Sequence, residues 1–425
     1  MIREKEYALR RKKLAHKLSK NSLCVLFSAE PKSRSNDTEF PYRQQSDFYY
    51  LTGFKEDNAS LVLIKEKKKI KTLLFVQKKD KALELWTGKR LGVKKAKKLF
   101  AVDEVYASEE FETKIKELLG TTKRLYIEKT RQDAKVHKLL SMGAKVHEIY
   151  DAAPLVHAMR LYKSKAEIAL IKKAICITKE AHHKAMAISK AGKFEYELQA
   201  EIEYIFKKNG AYSDAYTSIV ASGNSANTLH YISNDKKIKE DGLILIDAGC
   251  EYAYYASDIT RTIPASGKFS EAQKELYEMV LDVQLKILDA IKPHAMRSEL
   301  QAMACSLLTK GMLRLGIVKG KYKKLMKQEA YKKYYPHGIG HWMGLDVHDE
   351  APYKDTKGKE IPLGAGMVLT IEPGIYCDKN DKSIPKRFRG IGIRIEDDIL
   401  ITKKGCKNLS TKIAKSVEEI EALFE

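Results

Sequence analysis

The stretch LILIDAG (243–249) is answered by VLTIEPG (368–374), and each is an apolar strand whose acid, Asp247 or Glu372, stands two positions before a glycine. Each is followed by a second strand-like run with another acid: YYASDITRTI (254–263) carries Asp258 and IGIRIEDDILI (391–401) carries Glu396. Helical segments echo in the same order, YELQAEIEYIF (196–206) before the first pair and SELQAMACSLL (298–308) before the second. A repeated unit constrains the whole fold. This part of the chain therefore reads as two related halves, each offering two carboxylates at strand ends. An ordinary α+β domain without duplication is the competing reading.

Alternation along a strand places Arg394 and Glu396 on one face and Ile393 and Ile395 on the other, so that Glu396 points away from the apolar side. Four carboxylates gathered at one place repel one another, and an interior tolerates them only when a proton or a metal compensates. Two divalent ions would neutralise the set. A neutral ligand is available from YYPHGIGHWMGLDVHDE (334–350), which holds His337, His341 and His348. The glycines inside HGIGH disfavour a helix, so the segment reads as a loop and not as the helical HExxH zinc motif. Carboxylates with one imidazole form a hard, oxygen-rich site that suits manganese and tolerates cobalt or zinc. Two such metals can share a water, lower its pKa and stabilise the oxyanion formed at a carbonyl, which is hydrolytic chemistry.

Upstream of this region the pattern changes. SLCVLFS (22–28), NASLVLIK (58–65), KTLLFVQ (71–77) and KRLYIEK (123–129) alternate with helical stretches and predict a small α/β domain. A break at DAAPLVHAMR (151–160), with a long helix opening near Ser164, places the boundary between residues 1–155 and 156–425. The whole is of α/β (α+β) class. With 78 basic and 56 acidic residues the chain carries +22, a charge that invites a nucleic-acid reading. KEKKKIK (65–71), KKAKK (94–98) and KGKYKKLMK (319–327) nevertheless contain few aromatics and no base-recognition motif, and read as solvated faces. MIREKEYALRRKKLAHKL reads as a charged amphipathic helix and not as an export signal. No apolar run approaches the roughly 20 residues that cross a bilayer. Six scattered cysteines without CxxC spacing read as reduced residues of a cytoplasmic protein.

The ordered set Asp247, Asp258, His341, Glu372 and Glu396 resembles the metal-ligand signature of the methionine aminopeptidase, prolidase and aminopeptidase P superfamily. RSNDTEFPYRQQSDFYYLTGF (34–54), ELWTGKRLG (84–92) and RGIGIRIEDD (389–398) extend a similarity to the Xaa-Pro aminopeptidases over nearly the whole chain. The resemblance implies an N-terminal aminopeptidase P domain, a pseudo-twofold "pita-bread" catalytic domain with a curved antiparallel sheet covered by helices, and peptides with proline in second position as substrates. It implies that Asp258 and Glu396 bridge two metals, that Asp247 chelates one, and that His341 and Glu372 serve the other. Glu372 would also pass a proton to the leaving nitrogen, His230 and His348 would stabilise the intermediate, His337 would line the proline side, and Arg394 would hold the carboxylates. It further implies a homo-oligomer, dimer or tetramer. Trp86 is left open between a core residue and a position that approaches a neighbouring subunit's active site. A prolidase restricted to dipeptides shares the ligands. A pita-bread module that binds peptides or proteins without catalysis is the alternative of a different class.

Overall fold

The computed structural model describes residues 2–131, 133–143, 146 and 148–424. Contacts group the chain into two compact units, Met1–Met159 and Arg160–Glu425. The first is built on a mixed six-stranded sheet in the order Glu104–Ala107, Lys69–Val76, Ser60–Glu66, Ser22–Phe27, Arg124–Ile127, Glu148–Asp151. The central strand Ser22–Phe27 is buried along its entire length, which is why its sequence is an unbroken apolar run and not an alternating one. Phe27, Val62, Phe75 and Ile127 meet in one core. The two outer strands, EVYA and EIYD, are only half-buried and short, and they lack the apolar run that marks the inner four.

The charged N-terminal helix, Glu4–Lys17, buries two of its arginines. Arg10 donates to the Tyr50 carbonyl at 3.1 Å and Arg11 to the Leu51 carbonyl at 2.8 Å. These carbonyls close the helix Ser46–Thr52, whose negative end favours cations. The segment expected as a break at 151–160 is largely a helix, Ala153–Arg160, with Pro154 in its first turn, where the missing N–H forfeits no helical bond.

In the second unit the echoes of the sequence become echoes in space. The long helices Lys165–Ile188 and Glu271–Ala290 open with the same cap. Ser164 bonds Glu167 N and receives the Glu167 carboxylate at its own N–H, while Ser270 and Gln273 repeat the exchange. Such a box satisfies orphan donors of the first turn. A second helix follows each, Glu195–Lys208 and Arg297–Arg314, bearing the two ELQA strings.

The strand Leu243–Asp247 pairs antiparallel with Ile219–Ser222 on one side and Thr260–Pro264 on the other. In the second half Val368–Ile371 pairs with Asp397–Ile401, and Gly374–Cys377 with Ile391–Arg394. The halves meet where Glu396 N donates to the Thr260 carbonyl at 3.1 Å and Thr262 Oγ1 donates to the Arg394 carbonyl at 3.1 Å. Ile244, Ile246, Leu369 and Ile371 share one core with the helices, leaving the acid-bearing strand ends to face a common cavity.

Candidate metal centre

Two glycines bring the acid-bearing segments together. A Cβ on Gly249 would lie 1.8 Å from the Ser257 carbonyl oxygen, and one on Gly340 would lie 1.9 Å from that of Thr370. The first close approach folds the turn of DAG against the residue before Asp258. The second lays the HGIGH loop against the strand that leads to Glu372, where His341 N donates to Thr370 Oγ1 at 3.1 Å and Thr370 N to the His341 carbonyl at 2.9 Å. No larger residue permits such backbone proximity.

The result is one cavity of about 490 Å³ whose walls include every residue singled out for chemistry: Asp247, Asp258, His341, Glu372, Glu396, His230, His337, His348 and Arg394. Asp258, His341 and Glu396 present donor atoms that all lie within 4.8 Å of one another. His341 Nε2 stands 3.3 Å from Asp258 Oδ2 and 3.7 Å from Glu372 Oε1. The His341 and His348 rings are 4.0 Å apart between centroids. His337 hydrogen-bonds through Nδ1 with the Gly338 carbonyl and through Nε2 with the Tyr376 hydroxyl, both at 2.8 Å. His230 lies at the exposed rim.

Arg394 donates to Asp247 Oδ2 at 2.6 Å, to Tyr376 Oη at 3.0 Å and to Thr260 Oγ1 at 3.2 Å. Thr260 in turn donates to Glu396 Oε2 at 2.7 Å. One planar guanidinium thus positions two of the carboxylates, a task for a rigid fork of donors. Three members of this shell carried no signal in the sequence. Tyr216, whose hydroxyl reaches both Asp247 and Asp258, is one of 23 tyrosines in a segment without a motif. Tyr376 and Thr260 are equally plain. All three act across long sequence separations that no local pattern records.

The electrostatics describe a nest of acids that wants cations. Burial raises the Asp247 carboxyl above its ordinary range, Arg394 only partly opposing it. Burial, and then the charges of Asp258 and Glu372, push Glu396 well above. Glu372 is raised to about 7 by burial, against the pull of His341 and Arg394. Burial works against charge on His341, but the Asp258 hydrogen bond and the charges of Asp258 and Glu372 win and raise it to about 9. His337, buried and repelled by Arg394, falls to about 4 and is neutral. Four carboxylates and one imidazole facing a single cavity are the donor set that hard divalent ions take, so the residues present fit such ions.

Elsewhere, Trp86 is 84% exposed and Leu85 83%, which removes the reading of Trp86 as a core residue. All six cysteines are free thiols. No helix among the described residues is long and apolar enough to cross a membrane.

Residues 169–403 match the model of metallopeptidase family M24, and residues 7–126 that of the aminopeptidase P N-terminal domain. The Xaa-Pro aminopeptidase of Haemophilus influenzae is 41% identical over 99% of this chain and 97% of its own length. Human Xaa-Pro aminopeptidase 3 is 37% identical over 98% of this chain and 85% of its own. Among solved structures, zinc-substituted Escherichia coli aminopeptidase P in complex with product superposes with a TM-score of 0.96 at 39% identity, covering 100% of this chain and 98% of that one. The same enzyme with the inhibitor Pro-Leu gives 0.95 at 39% identity over the same shares.

Proposed function

The chain belongs to metallopeptidase family M24 and, as we infer from its full-length similarity to Xaa-Pro aminopeptidases, is a metal-dependent aminopeptidase that hydrolyses the N-terminal Xaa-Pro bond of peptides. The observation that carries the reading is the cavity in which four carboxylates and four histidines face the apolar side chains Ile219, Leu229, Ile232 and Val347. An X-Pro bond offers no amide hydrogen. Its recognition has to rest on ring shape, which an apolar wall with histidine edges supplies.

Asp247, Asp258, His341, Glu372 and Glu396 would hold two divalent ions, with manganese preferred by the hard donor set and cobalt or zinc tolerated. Bound there, the ions supply Lewis-acid polarisation of the carbonyl and a water acidic enough to react near neutrality. The residues of the chain do the rest. Glu372 would accept a proton from water and return it to the leaving proline nitrogen. His230 and His348 donate to the oxygen on which charge develops. His337, pinned by Gly338 and Tyr376, lines the proline side. Arg394 keeps Asp247 and, through Thr260, Glu396 in place.

The catalytic groups all fall in residues 156–425, and residues 1–155 would act in assembly. Leu85 and Trp86, nearly fully exposed, are apolar groups that favour burial against a second copy, so a homo-oligomer forms part of the proposal. Free cysteines fit a reducing, cytoplasmic setting.

Purified protein loaded with manganese should release the first residue from an Xaa-Pro-Xaa peptide, lose that activity in chelator and recover it when manganese is returned. Full activity in chelator, or turnover confined to a Gly-Pro dipeptide, would overturn the assignment.

A further inference from the structure

The second unit contains another cavity, of about 810 Å³, that shares no lining residue with the catalytic one. The two are nonetheless close: Ile219, at one end of the strand Ile219–Ser222, lines the catalytic cavity, and Ser222, at the other end, lines this cleft. Its walls are basic. Lys236, Lys237 and Lys239 come from the loop before Leu243–Asp247, Lys268 from the turn after Thr260–Pro264, and Lys379 and Arg389 from the loop joining Gly374–Cys377 to Ile391–Arg394. None of these six is in an ion pair among the described residues, whereas the seventh cation of the lining, Arg387, pairs with Glu275 at 3.3 Å. The one carboxylate in the lining is Asp241.

Two of the cations are held in place by neutral groups. Lys236 Nζ donates to Ser225 Oγ at 2.8 Å, on a serine that is itself 5% exposed. Arg389 donates to the carbonyls of Lys382 and Ile384 at 3.1 Å, which fixes the guanidinium without neutralising it. Elsewhere on this chain exposed lysines do find acids, as Lys286 finds Asp282 and Lys332 finds Glu329. Six like charges converging on one concavity repel one another and focus a positive potential there, and the cost is recovered when a ligand of opposite charge binds.

We propose that this cleft is a binding site for an oligophosphate, a small molecule bearing several linked phosphoryl groups. Volume and charge density favour that class. The cavity has the size of a small-molecule site, and a phosphate chain concentrates several charges in such a space, whereas an acidic peptide spreads its charges along an extended backbone. The lining hydroxyl of Ser270, which only accepts from Gln273 N, adds a neutral donor suited to phosphate oxygens. A nucleic-acid strand is not the better occupant. Strand binding relies on aromatic platforms for bases, and Phe269, the only aromatic in the lining, is half-buried against Tyr277 with ring centroids 4.9 Å apart.

Calorimetric titration of the metal-loaded protein with tripolyphosphate presaturated with manganese, so that it withdraws no metal from the catalytic centre, at fixed ionic strength tests the proposal. Tripolyphosphate should bind once per chain and at least about tenfold more tightly than orthophosphate, since several charge-assisted contacts act together. The triple variant Lys237→Glu, Lys239→Glu, Lys268→Glu should weaken it by about tenfold or more, while Lys67→Glu, Lys68→Glu, Lys69→Glu, an equal charge change on the hairpin of the first unit, should leave it within about twofold. Retained peptidase activity in both variants shows that they fold. Equal weakening by the two variants, no effect of the cleft variant, the absence of binding, or tighter binding of a single-stranded oligonucleotide would each overturn the assignment.

Discussion

The two halves of the catalytic unit carry acids at matching places and restrain them differently. Asp247, in the first half, takes a charge-assisted bond from Arg394 and a second bond from Tyr216. Glu372, its counterpart in the second, receives only the Thr370 hydroxyl at 3.3 Å and stands 3.7 Å from both His337 and His341 among the described residues. The halves also exchange arginines. Arg394 of the second reaches Asp247 of the first, and Arg261 of the first reaches Asp397 Oδ1 at 2.8 Å and the Glu396 carbonyl at 2.6 Å in the second. Arg394 faces the cavity, whereas Arg261 is fully buried and also grips the Ala414 carbonyl at 2.9 Å. The repeat supplies the positions, and the unequal bracing fits the roles proposed for the two acids, Asp247 as a fixed ligand and Glu372 as the group that moves a proton.

The sharpest way to break this comparison is to neutralise the matching acids one at a time. Glu372→Gln should lower kcat on an Xaa-Pro-Xaa peptide by about 10²–10⁴-fold, the range of a lost acid–base group, and should keep more bound metal than Asp247→Asn does under equal loading. Metal content per chain and kcat, measured together, check this. Equal losses of metal and activity in the two variants would show that the two acids have the same role.

The exchanged arginines offer a second cut. Asp397 is fully buried, which opposes its charge, yet Arg261 and then Lys415 hold its carboxyl far below the ordinary range. A depressed carboxyl contributes stability that is complete above its unfolded value, about 3.9 for aspartate, and is lost as pH falls through the folded value. Arg261→Met leaves that buried carboxylate with Lys415 as its one charged partner among the described residues and should cost about 3 kcal/mol at pH 7, with acid unfolding moved to higher pH as Asp397 takes up a proton more readily. Arg394→Met should cost less stability, because the Asp247 carboxyl is already raised and takes up a proton readily, and should lose most of the activity. Urea unfolding at neutral and acid pH separates the two. Equal stability losses would mean that both arginines are structural.

The part of this arrangement legible in the sequence is the part written in local spacing. Asp247 and Glu372 are strand-end acids two residues before a glycine, and His341 stands in a glycine-flanked loop; each signal lies within a few residues. The inner strands of the first unit announce themselves as apolar runs, while EVYA and EIYD, half-buried at the sheet edges, do not. Tyr216 and the Arg261–Asp397 pair arise from residues far apart in the chain, and the basic cleft is assembled from three loops, so the charge that made it was visible only as an unexplained excess. Pro154 suggested a break because proline ends helices more often than it begins them, yet here it occupies the first turn, where it is tolerated.

Tyr216 gives the finest test, because its hydroxyl touches the two acids of the first half and neither acid of the second. Burial, then the charges of Asp247 and Asp258, hold the phenol far above its usual pKa, so it remains a donor throughout the working range. Tyr216→Phe removes one hydrogen bond to a charged group, worth about 1.5–3 kcal/mol, and should appear as metal binding weakened by roughly tenfold. The pH profile of kcat at saturating metal, which under the proposed mechanism reports Glu372, should stay in place. Metal titration and that profile, recorded on one preparation, decide the matter: a shifted profile with unchanged metal affinity would couple Tyr216 to the second half and erase the distinction between the two.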